Sequence, residues 1–227
     1  MQRKLDTVTW VFIIVGGVFI LFGIILGLIM PQSLARNAER IEELTPISAS
    51  QLATQAPGSE VLLEGHVSSA NPILSQTFVA YISEMYRGTD ENDYAQWEEQ
   101  QRMTPPLQLD IDTTRVQILN QGYVLTGNLK SWQESEVLSY SSMRNTGTLR
   151  ERGLEQGAEA MVIGKAQSTA EGNGIEAEIL YAGNRAGYIA DHRDVAFWMR
   201  WAGLAVGFAG VLILGVVLFQ QRKAKPR

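Results

Sequence analysis

The chain has 227 residues, a formal net charge of −5 and no cysteine. Without cysteine it cannot form a disulfide, an iron–sulfur cluster, a cysteine zinc site or a thiol nucleophile. Its two histidines are too few for a histidine-rich metal site, and no other pattern requires a cofactor or metal, so we predict none.

Two uncharged apolar segments near the ends of the chain are each about the 20 residues that a helix needs to cross a bilayer. They predict two transmembrane helices around a polar centre. The predicted organisation is a cytoplasmic tail (1–9), a transmembrane helix (10–30), a juxtamembrane helical segment (31–56), a β-rich domain (57–190), a transmembrane helix (197–219) and a basic cytoplasmic tail (220–227).

Basic residues beside the spans indicate the orientation, because such residues stay in the cytoplasm. Arg3 and Lys4 precede the first span, and four basic residues follow the second: Arg222, Lys223, Lys225 and Arg227. Between the spans there are 12 basic and 23 acidic residues. The pattern predicts an extracytoplasmic domain on a bacterial cytoplasmic membrane, with an organellar membrane as the alternative, and it argues against nucleic-acid partners.

The first apolar segment has a second interpretation as a cleaved signal peptide, with a small-residue site at Ser33 and Ala35. Its apolar core is longer than the roughly 7 to 15 residues of a signal peptide, so we expect it to be retained. Cleavage would leave a single-pass protein with the same orientation.

Aromatic and basic residues mark the expected membrane interfaces. Trp10 begins the first span, and Trp198 and Trp201 flank Arg200 at the start of the second. A long cationic side chain in this position reaches the headgroups beside an aromatic belt. We interpret these four residues as interface anchors.

Glycines recur on one face of each predicted span. Each set includes a Gly-x-x-x-Gly pair, and the six positions are Gly16, Gly23, Gly27, Gly203, Gly207 and Gly210. Small residues let helix backbones approach closely in lipid. The pattern predicts packing of the spans on each other or on a second copy, although glycine is also common in membrane helices generally.

Alternating apolar residues between turn signals predict a β-rich centre. The predicted strands are 60–67, 78–86, 107–112, 116–119, 160–167 and 175–181. Two pairs read as hairpins, 107–112 with 116–119 and 160–167 with 175–181. The predicted fold class is therefore a membrane protein with two transmembrane helices flanking a β-rich, α+β extracytoplasmic domain, a small barrel or sandwich.

The titratable candidates are few. His66 lies in a strand and is expected to face solvent or a hydrogen-bond partner, while His192 stands between Asp191 and Asp194 in a juxtamembrane charged segment. Asp110 and Asp112 would share one face of a strand, where a solvated surface is favoured over a calcium or acid site. No nucleophile elbow, phosphate loop or metalloprotease motif occurs.

Two long polar segments between the strands contain aromatic residues. Residues 89–106 include Tyr94 and Trp97, and residues 127–157 include Trp132 and Tyr140. Long insertions often form interaction surfaces. We therefore nominate these four aromatics as a candidate partner surface, with unstructured loops as the alternative.

A set of short motifs resembles the GIDE, or "beside a membrane" (BAM), domain. They are residues 58–61, 64–67, 78–81, 106–110, 116–118, 151–154 and 162–164, with Trp97 and Gly157. That domain lies between two membrane helices in a mitochondrial ubiquitin ligase and has bacterial relatives. This chain has Phe78 where the family often has a cysteine, and its tail has no zinc-binding RING, so ligase activity is not carried over.

These features predict a membrane-anchored, non-catalytic interaction, scaffold or regulatory protein. Its expected partners are the lipid bilayer and other membrane proteins or copies of itself, as in a subunit of a membrane complex. The alternative is an enzyme, a hydrolase or ligase-like protein, with a carboxylate site in the central domain. A concave pocket with clustered carboxylates of perturbed titration would favour the enzyme.

Overall fold

The computed structural model describes residues 7–134, 147–169 and 172–223. They form two compact units, a helical one from residues 7–43 and 189–223 and a β-rich one, Leu44–Tyr188. The predicted combination of two long apolar helices flanking a β-rich domain is confirmed.

The first long helix continues through Pro31. It consists of α1 (Thr7–Ile24), a π-helical turn (Ile25–Ile29) and α2 (Met30–Glu43). Pro31 has no N–H to donate to the carbonyl of Gly27, and its ring would clash with that carbonyl in a regular α-helix. The wider turn, in which the Met30 N–H donates to the Ile25 carbonyl, accommodates the proline without ending the helix.

The second long helix, α4, extends from Arg185 to Lys223. It begins earlier than the predicted span because Asn184 acts as an N-cap, its side chain accepting a hydrogen bond from the Gly187 N–H at 2.9 Å. The Glu64 carboxylate also accepts from the Arg185 N–H at 2.6 Å. The segment of residues 185–196 is therefore helical.

Both helices are longer than a bilayer requires. Each contains a 35-residue stretch that is long and apolar enough to cross a membrane, Thr9–Glu43 and Arg185–Phe219. At 1.5 Å per residue such a stretch measures about 52 Å, against about 30 Å of hydrocarbon.

Five strands of the β-rich unit close into a barrel. In sheet order they are β5 (Thr114–Ile118), β4 (Leu107–Ile111), β1 (Glu60–Val67), β9 (Glu159–Thr169) and β10 (Gly172–Ala182). All neighbours are antiparallel except β10 and β5, whose parallel pairing closes the barrel. This order with one parallel closure is the connectivity of the OB fold, a five-stranded Greek-key barrel. A sixth strand, β6 (Val124–Gly127), pairs in parallel with β10.

A second, four-stranded antiparallel sheet is inserted between barrel strands. Its order is β3 (Ala95–Met103), β2 (Phe78–Thr89), β8 (Leu149–Glu155) and β7 (Lys130–Gln133). The β2–β3 hairpin connects β1 to β4, and β7 and β8 lie between β6 and β9. The polar segment 89–106, for which an unstructured loop was the alternative, thus contains strand β3.

The apolar core lies inside the barrel and beneath the start of the second sheet. Its fully buried members include Leu63, Leu109 and Leu180 from the barrel and Ala80 from β2. A short helix, α3 (Ala49–Leu52), adds Leu52 to this core and begins with a capping box between Ser48 and Gln51.

Candidate interaction surface

The second sheet contains a buried carboxylate that pairs with two arginines. Glu84 on β2 is 8% exposed, and its Oε2 accepts from Arg150 Nε at 2.9 Å and from Arg152 Nε at 3.0 Å. Its Oε1 accepts from Arg152 Nη2 at 3.1 Å. Charge-assisted hydrogen bonds of this kind are roughly twice as strong as neutral ones. Two guanidinium groups on one carboxylate leave the cluster with a surplus positive charge.

Trp97 extends this cluster toward the edge of the sheet. The Arg150 guanidinium carbon lies 4.0 Å from the Trp97 ring centroid, a cation–π contact. Tyr86, which is directly opposite Trp97 in the sheet, packs against the same ring with centroids 5.4 Å apart. Trp97 is therefore a fixed, half-buried aromatic beside a cation.

A second ion pair lies on the same edge strand. Arg102 Nη2 donates to Glu99 Oε2 at 2.7 Å. This hydrogen bond lowers the pKa of Glu99 and raises that of Arg102, with a further contribution from the charge of Arg152 at Glu99. Glu99 therefore stays ionised, which is the opposite of what a general acid needs at neutral pH.

Tyr94 projects from the β2–β3 turn and is 70% exposed. The Asp90 carboxylate accepts from the backbone N–H groups of Asn92 and Tyr94, both at 2.9 Å, and Asp93 has a φ of 63°. A turn closed by these bonds presents Tyr94 in a defined position.

The other nominated aromatics do not extend this surface. Trp132 is on β7, at the opposite edge of the sheet, and lies directly opposite Glu151 on β8. Glu151 is adjacent to Arg150, which is on the face that holds Glu84 and Trp97. Because adjacent positions alternate, Trp132 faces the other side. Tyr140 lies outside the described residues. Tyr94 and Trp97 thus share a sheet edge, to which Arg150 and Arg152 add a part that sequence reasoning missed.

The outer face of the barrel has a smaller polar group. Asp110 on β4 lies opposite His66 on β1 and pairs with Arg115 on β5 at 3.1 Å. A hydrogen bond from the Ser68 hydroxyl, followed by the contributions of Arg115 and His66, lowers the pKa of Asp110. Ser68 donates to the carboxylate, whereas a nucleophilic serine would donate to histidine.

The carboxylate and histidine patterns do not form a metal site in the described part of the chain. Asp112 occupies the β4–β5 turn with a φ of 53°, so it does not share a strand face with Asp110. His192 and its acidic neighbours lie along α4. Residues 7–134, 147–169 and 172–223 contain no group of three or more acidic, histidine or cysteine side chains placed to hold a metal ion.

The ligand-binding face of OB folds corresponds here to β4 and β5. These two strands contain one basic residue, Arg115, and no aromatic residue. Single-stranded nucleic acids are bound by stacking on aromatics within a positively charged groove. The fold alone therefore gives no reason to assign a nucleic-acid ligand to these strands.

The six glycines of the long helices lie where α1 and α4 contact each other in antiparallel order. A Cβ at Gly23 would lie 2.6 Å from the Cα of Gly207, and one at Gly210 would lie 2.7 Å from the carbonyl of Gly16. A Cβ at Gly203 would overlap the backbone of Gly27. At Gly23, Gly203 and Gly210 any larger residue would push the helix backbones apart.

Of the nominated interface anchors, Trp10 lies near the start of α1, whereas Trp198, Arg200 and Trp201 lie further inside α4. Trp10, Trp198 and Trp201 are exposed, and Phe197 makes edge contacts with both of the latter tryptophans. Arg200 is also exposed. An exposed aromatic cluster beside a basic residue is typical of a membrane–water interface.

The fold and these surfaces define a class: a β-barrel protein with an inserted sheet, flanked by two helices long enough to span a membrane. Comparison of the chain with protein-family models, curated proteins and solved structures finds no match.

Proposed function

We propose that this protein is a membrane-anchored, non-catalytic interaction module that presents its β-rich unit outside the cytoplasm to another membrane protein or to a second copy. The observation that carries the proposal is the sheet edge with Tyr94 and Trp97, together with the Arg150 guanidinium that lies over the Trp97 ring, hereafter the aromatic edge. Tyrosine, tryptophan and arginine are the residues most enriched at energetically dominant interface positions. Here a turn and a cation–π contact fix them in advance, which lowers the entropy cost of binding.

The membrane crossing and its orientation are supported by helix length and by charge. Basic residues cluster in both tails, and the segment between the spans is acidic. We place the protein in the cytoplasmic membrane of a bacterium with both termini in the cytoplasm, an organellar membrane remaining the alternative. The resemblance to the GIDE domain, which also lies between two membrane helices, is compatible with this arrangement.

Reporter fusions test the orientation. A reporter after Arg227 should behave as cytoplasmic, and one inserted beside Asn145 should behave as exported. A cytoplasmic signal from the Asn145 insertion would overturn the orientation, because the β-rich unit would then lie in the cytoplasm.

Site-specific photo-cross-linking in intact membranes tests the interaction. A photo-reactive phenylalanine at Tyr94 should give one cross-linked product of defined mass, and Trp97→Ala should reduce its yield because it removes the neighbouring contact. The matched control is the same probe at Val124, which is 51% exposed on β6 beside the barrel. Equal products from both positions, or from neither, would contradict a partner at the aromatic edge.

A further inference from the structure

A groove of about 620 Å³ runs along the pair of long helices, and nothing in the proposed function uses it. Its floor is formed by glycines of the helix contact, including Gly23 and Gly207, and its walls by exposed apolar side chains such as Leu28, Leu204 and Phe208. Two polar residues, Gln32 and Arg200, line it as well.

The side chain of Arg200 has no ion pair or hydrogen bond to residues 7–134, 147–169 and 172–223. Arg193, two helical turns earlier on α4, differs because its Nη2 donates to Glu42 at 2.6 Å. A guanidinium beside an apolar membrane groove is costly unless an anion neutralises it. The guanidinium of Arg200 therefore needs an anion, which the described residues do not supply.

The position of Arg200 identifies the anion. Phe197, Trp198 and Trp201 surround it on α4 with the exposed aromatics that sit at headgroup level. From Arg200 to Val211, another lining residue, α4 rises about 16 Å at 1.5 Å per residue. This length matches one leaflet, since the whole hydrocarbon core is about 30 Å thick.

We propose that this groove binds one anionic phospholipid, with its phosphodiester paired to Arg200 and an acyl chain lying between the two helices. The proposal rests on the membrane crossing argued above. A second transmembrane helix would fill the apolar part of the groove, but a lipid supplies both the anion and a chain of the required length. Arginine pairs with phosphate oxygens through charge-assisted hydrogen bonds, which are often bidentate.

The structure provides two variants that alter the groove in different ways. Arg200→Gln removes the cation without changing the apolar walls. Gly207→Leu fills the groove, because a Cβ there meets only the Cα of Gly23 at 3.9 Å and otherwise points into open space. The matched controls are Gly215→Leu, where a Cβ meets no atom within 4 Å and which does not line the groove, and Arg193→Gln, which removes an arginine that is already paired.

The test is native mass spectrometry of the full chain in mild detergent, titrated with phosphatidylglycerol and, separately, with phosphatidylcholine. We expect one phosphatidylglycerol per chain, bound more tightly than phosphatidylcholine. Arg200→Gln should weaken this binding about tenfold, the usual cost of losing hydrogen bonds to a charged group. Gly207→Leu should weaken the binding of both lipids, and the two control variants should bind each lipid as tightly as the unaltered chain does.

Equal binding of phosphatidylglycerol to all variants overturns the lipid site. A dimer that dissociates only in Gly207→Leu, with lipid binding unchanged, also overturns it, because a second copy would then occupy the groove. Alkaline extraction of membranes separates these results from a failure of the proposed function. A chain that is released by alkali does not cross the membrane, and both proposals are then wrong. A chain that is retained but does not discriminate lipids overturns the lipid site alone.

Discussion

The barrel and the inserted sheet are joined in one compact unit but are stabilised differently. The barrel buries an apolar interior in which Leu63, Leu109 and Leu180 have no exposed surface. The inserted sheet has an edge strand, β3, in which no residue is buried, and it contains the buried Glu84 carboxylate paired with Arg150 and Arg152. Apolar burial is non-directional, whereas ion pairs of this kind require defined geometry. The barrel therefore supplies most of the apolar core, and the inserted sheet presents the charged and aromatic surface.

The largest expected effect is in the barrel. Residues 44–188 form a compact unit, and we expect them to fold without the helices and to give a strand-dominated circular dichroism spectrum. In this fragment Leu63→Ala should lower the free energy of unfolding by about 3 kcal/mol, because it leaves a cavity in a closed interior. Urea unfolding followed by circular dichroism measures the change. Unfolding of the inserted sheet alone, with the barrel intact, would contradict a shared core.

A smaller effect is expected from the buried carboxylate. Glu84→Gln leaves two guanidinium groups without their anion and should cost about 2 kcal/mol, less than for a fully buried pair because Arg152 is partly exposed. A double-mutant cycle with Arg152→Gln should show coupling, since either single variant already loses the contact between Glu84 and Arg152. If the two changes are additive, the cluster does not stabilise the sheet.

The alternation of apolar residues predicted most of the barrel. Strands β1, β4, β5, β9 and β10 and both predicted hairpins are present, because each strand places one face in the core. The β9–β10 turn residues 170–171 lie outside the described residues. The closure by parallel pairing of β5 with β10 could not be predicted, since it depends on contacts between residues far apart in sequence.

The inserted sheet was predicted only at β2, because its other strands are short or polar. Strand β3 contains Glu98, Glu99 and Arg102 and has no apolar alternation. One signal was available and was missed: Arg150 and Arg152 are two residues apart, so in a strand both point to the same face. The early start of α4 was also missed, although Asn184 is a favourable N-cap residue.

Trp97 tests whether the aromatic edge contributes to folding or mainly to recognition. Trp97→Ala should destabilise the 44–188 fragment by about 1 kcal/mol, because it removes one cation–π contact at a partly exposed edge. Trp97→Phe should restore part of this loss, since it retains an aromatic face for Arg150, whereas Trp97→Leu should not. A loss as large as that of Leu63→Ala would show that the edge is part of the core.

The smallest expected effect is the response to acid, and it compares the two sheets directly. Hydrogen bonds lower the pKa of Asp110 in the barrel, mainly from Ser68, and that of Glu99 in the inserted sheet, mainly from Arg102. A carboxylate whose pKa is lower in the folded state stabilises the fold at pH values above its pKa in the unfolded chain, which is 3.8 for Asp110 and 4.5 for Glu99. This contribution is lost as the pH falls through the pKa of the folded state. Stability of the fragment should therefore decline below about pH 4.5. Asp110→Asn and Glu99→Gln should each flatten part of this decline, and because both groups are exposed the differences should be small. If neither variant changes the acid limb measured by urea unfolding, these surface pairs do not contribute to stability in either sheet.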